Sequence, residues 1–97
     1  MRDFIRGAVR LHVLHHASKE DLHGAWMTEE LARHGYRISP GTLYPTLHRM
    51  EEEGLLTSHH QVAAGRRRRV YRTTDEGLAT LQSMRRALRE LADEVLE

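Results

Sequence analysis

The chain has no cysteine, which excludes disulfides, thiolate metal sites and thiol redox sensing. It has almost no lysine: Lys19 stands alone among fifteen basic residues, and the other fourteen are arginine. No apolar run approaches the roughly 18 residues of a membrane span. The N-terminus also lacks the apolar core of a signal peptide, so the expected compartment is the cytoplasm. Internal repeats, low-complexity tracts and flexible linkers are missing too. So are a nucleophile–base arrangement, a paired-carboxylate signal and a phosphate-cradling glycine loop, and the expectation is that the chain is not an enzyme. At 97 residues it forms one domain, or one domain with an appended helix. A chain of this size buries only about two-thirds of its unfolded surface, so an uncovered apolar face needs a partner.

What is present is charge arranged unevenly. The net charge is only +1, but residues 1–30 carry −1, residues 31–74 carry +5 and residues 75–97 carry −3. A local field of this kind steers a polyanion whatever the total charge. Arginine, with its planar fork of donors, suits both phosphate and guanine.

Periodicity divides the chain into elements. Met1–His16 places Phe4, Ile5, Ala8, Val9, Leu11 and Leu14 near a helical repeat. Ala17–Leu22 is polar and reads as a turn. A second helix is expected over about His23–His34, with Trp26, Met27, Leu31 and Ala32 facing inward and Gly35 closing it. Ser39 is a good N-cap for a third helix, Pro40 suits its first position, and Gly54 ends it. Pro45 would remove a bond to Gly41, so an irregular first turn is expected. Leu55–Val62 and Arg67–Thr73 read as strands joined by a turn at Ala63–Arg66, and Thr74 caps a last helix. Helix, helix, helix, strand, strand, helix is the order of a winged helix-turn-helix. The fold class is therefore mainly α with a small β-hairpin. Residues 1–73 form the winged domain and 74–97 a long C-terminal dimerisation helix.

The third helix buries Leu43, Leu47 and Met50 and turns a polar face outward. On that face and its cap, Ser39, Thr42, Tyr44, Pro45, Thr46, His48 and Arg49 are candidate DNA-contacting residues. Several have a plain structural alternative. Tyr44 either meets a sugar-phosphate or thymine methyl, or covers the corner between the second and third helices. Thr42 sits where a helix N-terminus attracts an anion, or acts as a second cap. Arg49 takes phosphate or guanine, or pairs with Glu52 or Glu53. On the hairpin, Arg66, Arg67 and Arg68 are candidates for phosphate or minor-groove contact. Arg69 is less so, because four consecutive arginines cannot all point one way. No acid lies between Gly54 and Thr74 to neutralise the run.

In the last helix, Leu81, Met84, Leu88, Leu91 and Val95 follow a 3-4-3-4 spacing, the seam of a helix that pairs with another. With Phe4 and Ile5 of the first helix they form the expected dimer interface. His12 and His16 are spaced to share a metal, but neither a third ligand nor a cysteine accompanies them. No metal and no other cofactor is expected, and the histidines are read as surface or interface groups, open to pH response. A small-molecule effector is unidentified. Its expected place is an apolar space between the first and last helices of a dimer, with Trp26 a weaker candidate lining residue.

Four segments together resemble one family. They are Asp21–Gly24, Ser39–Pro45, Arg49–Leu56 and Tyr71–Gly77, and SPGTLYP followed by EEGL is the specific core. The chain resembles the PadR-like transcriptional regulators, in their short branch with a single C-terminal helix, over about residues 5–80. The resemblance implies a homodimeric winged-helix repressor that reads a pseudo-palindromic operator. Helix 39–53 would lie in the major groove and the 57–73 wing on the backbone or minor groove. The competing expectation is a winged helix used for protein–protein assembly without DNA binding. Two positions depart from the family's pattern: Ala25 where a tyrosine is usual, and Thr73 where a leucine is usual. The second suggests looser packing at the strand–helix junction.

Overall fold

A computed structural model describes residues Met1–Glu97. The elements are α1 (Arg2–Lys19), β1 (Leu22–His23), α2 (Gly24–Arg33), α3 (Pro40–Glu52), β2 (Leu56–Ala63), β3 (Arg66–Thr73) and α4 (Asp75–Val95). The fold is mainly helical with a small antiparallel sheet in the order β1-β3-β2. A winged helix is therefore observed, with one strand more than the expected hairpin.

That extra strand corrects the reading of Ala17–Leu22 as a polar turn. Helix α1 runs on to Lys19 and buries Ala17, and Leu22 and His23 then pair with Tyr71 and Val70. The pairing puts β3 in the centre of the sheet; Val70 and Tyr71 are both buried although neighbours in a strand face opposite sides, and Tyr71 is the one that joins the main core.

The core gathers one face of each helix: Val13, Leu14 and Ala17 of α1, Met27 and Leu31 of α2, Leu43, Leu47 and Met50 of α3, and Leu81 of α4. Leu22, Leu56 and Tyr71 close it from the sheet. In α2 the inward stripe is narrower than expected. Ala32 is exposed and Trp26 is 40% exposed, because residues 27 and 31, one turn apart, already fill the contact with α3.

Helix α3 is regular from Pro40, not irregular as expected. The first turn is tightened by Thr42 N–H and Leu43 N–H both donating to the Ser39 carbonyl, at 3.0 and 2.9 Å. Pro45 leaves the carbonyl of Gly41, an exposed residue in the first turn, without a helical donor. Ser39 occupies the N-cap, but its side chain makes no capping bond and its hydroxyl points to Thr42 Oγ1 instead. At the other end Gly54 has φ +82, with Gly54 N–H on Glu51 O and Leu55 N–H on Met50 O, which stops the helix and turns the chain into β2. The hairpin is a two-residue turn, Ala63 pairing with Arg66, and Ala64 and Gly65 both take positive φ. Its twist matches that of the strands.

The α4 junction is tight, contrary to the loosening expected from Thr73. Thr73 Oγ1 donates to the Leu14 carbonyl at 3.0 Å, tying the end of β3 to α1. Thr74 Oγ1 accepts from Gly77 N–H at 2.9 Å and donates to the Gly54 carbonyl at 2.6 Å. From there α4 runs on for 21 residues, and the molecule is 51 Å along its longest axis.

Candidate nucleic-acid interface

Residues on a helix are spaced by about 100°. With Leu43, Leu47 and Met50 inward, the outermost line of α3 carries Gly41, Pro45, His48 and Glu52. One flank carries Tyr44 and Glu51, the other Thr42, Thr46, Arg49 and Glu53. Ser39, Thr42, Tyr44, Pro45, His48 and Arg49 are all exposed. Thr46 is half-buried and donates its hydroxyl to the Thr42 carbonyl at 2.9 Å, so its proton is used within the helix. His48 Nε2 lies 3.7 Å from the Glu52 carboxylate. Arg49 pairs with neither Glu52 nor Glu53; Glu53 is instead held by Arg10 of α1, whose hydrogen bond lowers its pKa.

The Tyr44 flank faces the wing. Glu51 accepts from Ser58 Oγ of β2 at 2.8 and 2.9 Å, and Ser58 Oγ in turn accepts from Arg69 at 3.0 Å. Arg69 also lies 4.0 Å from the Glu51 carboxylate. Burial holds the Tyr71 phenol above its ordinary pKa, with Arg69 pulling it down and Glu51 and Tyr44 pushing it up. Tyr44, Glu51, Arg69 and Tyr71 thus share one neighbourhood, and the outer face of α3 is continuous with one face of the wing. Tyr44 has both of its alternative characters: it is 45% exposed, and its ring covers the start of α2. It reaches that place because residue 24 is glycine. A Cβ there would meet the ring and hydroxyl of Tyr44 at 2.5–2.7 Å.

The register sorts the arginine run. Arg67 and Arg69 lie on the same side as Tyr71, Ser58 and His60, whereas Arg66 and Arg68 share the other side with Gln61 and Val70. Arg66, Arg67 and Arg68 are exposed and form no ion pair. The run is nevertheless not wholly unneutralised. Glu51 sits by Arg69, and Asp21 lies 3.7 Å from Arg72. On the second side, Arg68, Arg72, Asp21, His16, His23 and Trp26 line an open cavity of about 640 Å³. Trp26 therefore belongs to the base of the wing and not to the α1–α4 surface.

On the far flank of α3, Arg6 and Arg10 of α1 join Gly41, Thr42, Pro45, Thr46 and Arg49 around an open pocket of about 650 Å³ with no apolar lining residue. These two arginines were overlooked in the sequence because their segment has a net negative charge. Their shared spacing of four residues was the available signal.

Helices α1 and α4 form a separate, apolar face. Phe4 is 64% exposed, Leu88 50%, Leu91 47% and Val95 61%. Two shallow grooves run along it, one lined by Phe4, Ala8, Leu11, Met84, Leu88 and Leu91, the other reaching Tyr36 and His15. Ile5 and Met84 are half-buried against the chain's own core. Leu81 corrects the expected seam: it is fully buried within its own chain, because the first turns of α4 pack into the winged domain.

The histidines gather at α1–α2. His16 and His34 lie 3.5 and 3.0 Å from the Glu30 carboxylate, and the His12 ring is 5.0 Å from that of His34. Burial lowers the pKa of His12, His15 and His16, outweighing the pull of Glu30 on His12 and His16. No group of three or more such side chains is arranged to hold a metal ion, and no helix is long and apolar enough to cross a membrane.

A helical core with a cationic wing beside the exposed outer face of α3 defines a winged-helix protein. The chain matches the transcriptional regulator PadR-like family over residues 13–83 and belongs to that family. It is 66% identical to transcriptional regulator Rv3488 of Mycobacterium tuberculosis over 96 residues, covering 99% of this chain and 90% of that protein. Among solved structures, it superposes on a PadR family transcriptional regulator from Eggerthella lenta with TM-score 0.83 at 36% identity, covering 96% of this chain and 82% of the other. A PadR-like transcriptional regulator from Bacillus cereus gives TM-score 0.87 at 27% identity, with coverage of 96% and 92%.

Proposed function

We propose that this transcriptional regulator is a homodimeric repressor that binds a pseudo-palindromic operator, with α3 in the major groove and the wing on the backbone or minor groove. The observation that carries the reading is the junction of the Tyr44 flank of α3 with the wing through Glu51, Ser58 and Arg69, with His48 on the adjoining outer line of α3 and Arg67 on the same side of β3 as Arg69. The helix supplies donors for base edges and the hairpin supplies charge for phosphates. The exposed α1–α4 face supplies the dimer: Phe4, Leu88, Leu91 and Val95 project from it, and α4 extends roughly 30 Å, enough to lie along a second copy. Two copies related by a twofold axis would present their α3 helices about 34 Å apart, one turn of the duplex.

Fluorescence anisotropy with duplexes from the gene's own promoter region tests the reading. Affinity should fall steeply with salt, as counterions return to the phosphates. Arg66→Ala with Arg67→Ala should weaken binding to every sequence and flatten the salt dependence. A salt-insensitive complex with a co-purifying protein and no affinity for any duplex would place the chain among winged helices used for assembly.

A further inference from the structure

We propose that Arg2, Arg6 and Arg10 of α1 form a second phosphate-gripping ridge, on the flank of α3 opposite the wing. The residues recur every four positions, so they stand in one row along the helix. That row lies on the side of α1 that carries Val9 and Val13 into the core. At the N-terminal end of α1 the core has run out, and the row passes over α3 instead. Arg6 and Arg10 line the polar pocket with Thr42, Thr46 and Arg49, and Arg2 and Arg6 line the adjoining one with Ile38, Thr42 and Thr46.

The chemistry of the pocket fits a phosphodiester. Its lining carries three arginines and no carboxylate. Two acids lie nearby: Asp3, 4.0 Å from Arg6 and almost fully exposed, and Glu53, bonded to Arg10. Counting both against Arg2, Arg6, Arg10 and Arg49 leaves a net +2. Glu53 takes up Arg10, which leaves Arg6, 4.0 Å from the exposed Asp3, and the unpaired Arg49 to meet an anion. Thr42 Oγ1 accepts from Ser39 Oγ, so its own proton is free to donate outward. The α3 N-terminus adds its positive end to the same field. Phe4, Ala8 and Leu11 occupy the opposite side of α1, so pairing of α1 and α4 with a second copy leaves the ridge open.

The ridge extends the DNA-binding reading and rests on it. It places backbone contacts outside the major-groove helix, so that each half-site is held from both sides of α3. The full chain is titrated with one operator duplex across a salt series, as wild type, Arg2→Ala/Arg6→Ala, Arg2→Lys/Arg6→Lys and Arg66→Ala/Arg67→Ala, with circular dichroism confirming the fold of each. Loss of two phosphate contacts lowers the slope of log affinity against log salt by about 1.8. Between 50 and 200 mM salt the alanine ridge variant should therefore lose about tenfold less affinity than the wild type does. The lysine variant should keep the wild-type slope. A ridge variant with the wild-type slope, beside a wing variant whose slope falls, overturns the ridge and leaves the DNA-binding reading standing. A wild-type chain that binds no duplex overturns both.

Discussion

Gly77 gives the sharpest steric prediction in the fold. It is the third residue of α4, and a Cβ added there would sit 2.1 Å from the Leu55 carbonyl oxygen and 2.8 Å from Thr73 Cγ2. The obstacle is main chain and cannot swing aside. That same carbonyl accepts from Thr74 N–H at 3.1 Å, so relief of the clash breaks the bond that seats α4 on the turn after α3. Overpacking of this kind costs ~1–3 kcal/mol, and the lost hydrogen bond adds ~0.5–1.5 kcal/mol. Replacing glycine within a helix returns at most ~1 kcal/mol. Gly77→Ala should therefore lose about 2 kcal/mol, which for a domain of this size lowers Tm by about 10 °C. The assay is a circular dichroism melt at fixed protein concentration, since self-association of the kind proposed would shift the midpoint by mass action. Gly41→Ala is the control: its new methyl would meet only Ser39 Oγ, at 3.7 Å, so with no clash to offset the helical gain Tm should hold or rise by up to ~5 °C. If Gly77→Ala melts within ~2 °C of wild type, the packing described at this junction is wrong.

Leu88→Glu with Leu91→Glu should convert dimer to monomer in sedimentation. Each half-exposed leucine has ~1 kcal/mol of burial still to gain, in two copies, so dimer affinity should fall about a thousandfold; an unchanged dimer would take α4 out of the interface. Gly24→Ala should push the Tyr44 ring out of its seat with little change in Tm, and DNA affinity should drop about tenfold, the equivalent of one lost contact. Unaltered affinity would assign Tyr44 to packing alone. Burial favours neutral His12, His15 and His16, so the folded chain binds fewer protons than the unfolded one just below the ordinary histidine value of 6.5. Stability should thus be complete above that value and fall as pH drops through it, and His12→Asn with His16→Gln should flatten the fall in Tm between pH 7.5 and 5.5. A wild-type Tm that rises on acidification over that range would mean that the contacts of Glu30 with His16 and His34 dominate instead.

Local signals explain what could be read from the chain. Pro40 and Gly54 punctuate α3, and Gly65 marks the hairpin, so the third helix and the wing were legible in outline. The strand β1 was not, because two residues have no periodicity and become a strand only by pairing with Tyr71 and Val70. Leu81 fits the spacing of a seam, yet a helix repeat cannot say which of its turns face the chain's own core. The acids that temper the arginine run are distant in sequence: Glu51 comes from α3, and Asp21 immediately precedes β1. Arg6 and Arg10 were hidden by a segment charge that averages a cationic row with Glu20, Asp21, Glu29 and Glu30, which lie beyond α1.

The central claim is that two copies present α3 and its flanking arginines to one duplex. Selection of bound sequences from a random DNA pool tests it most directly. The account predicts a symmetric motif whose half-sites are centred about 10 base pairs apart, or a multiple of that. Recovery of unenriched sequences, or of a single asymmetric site bound by one chain, would contradict it.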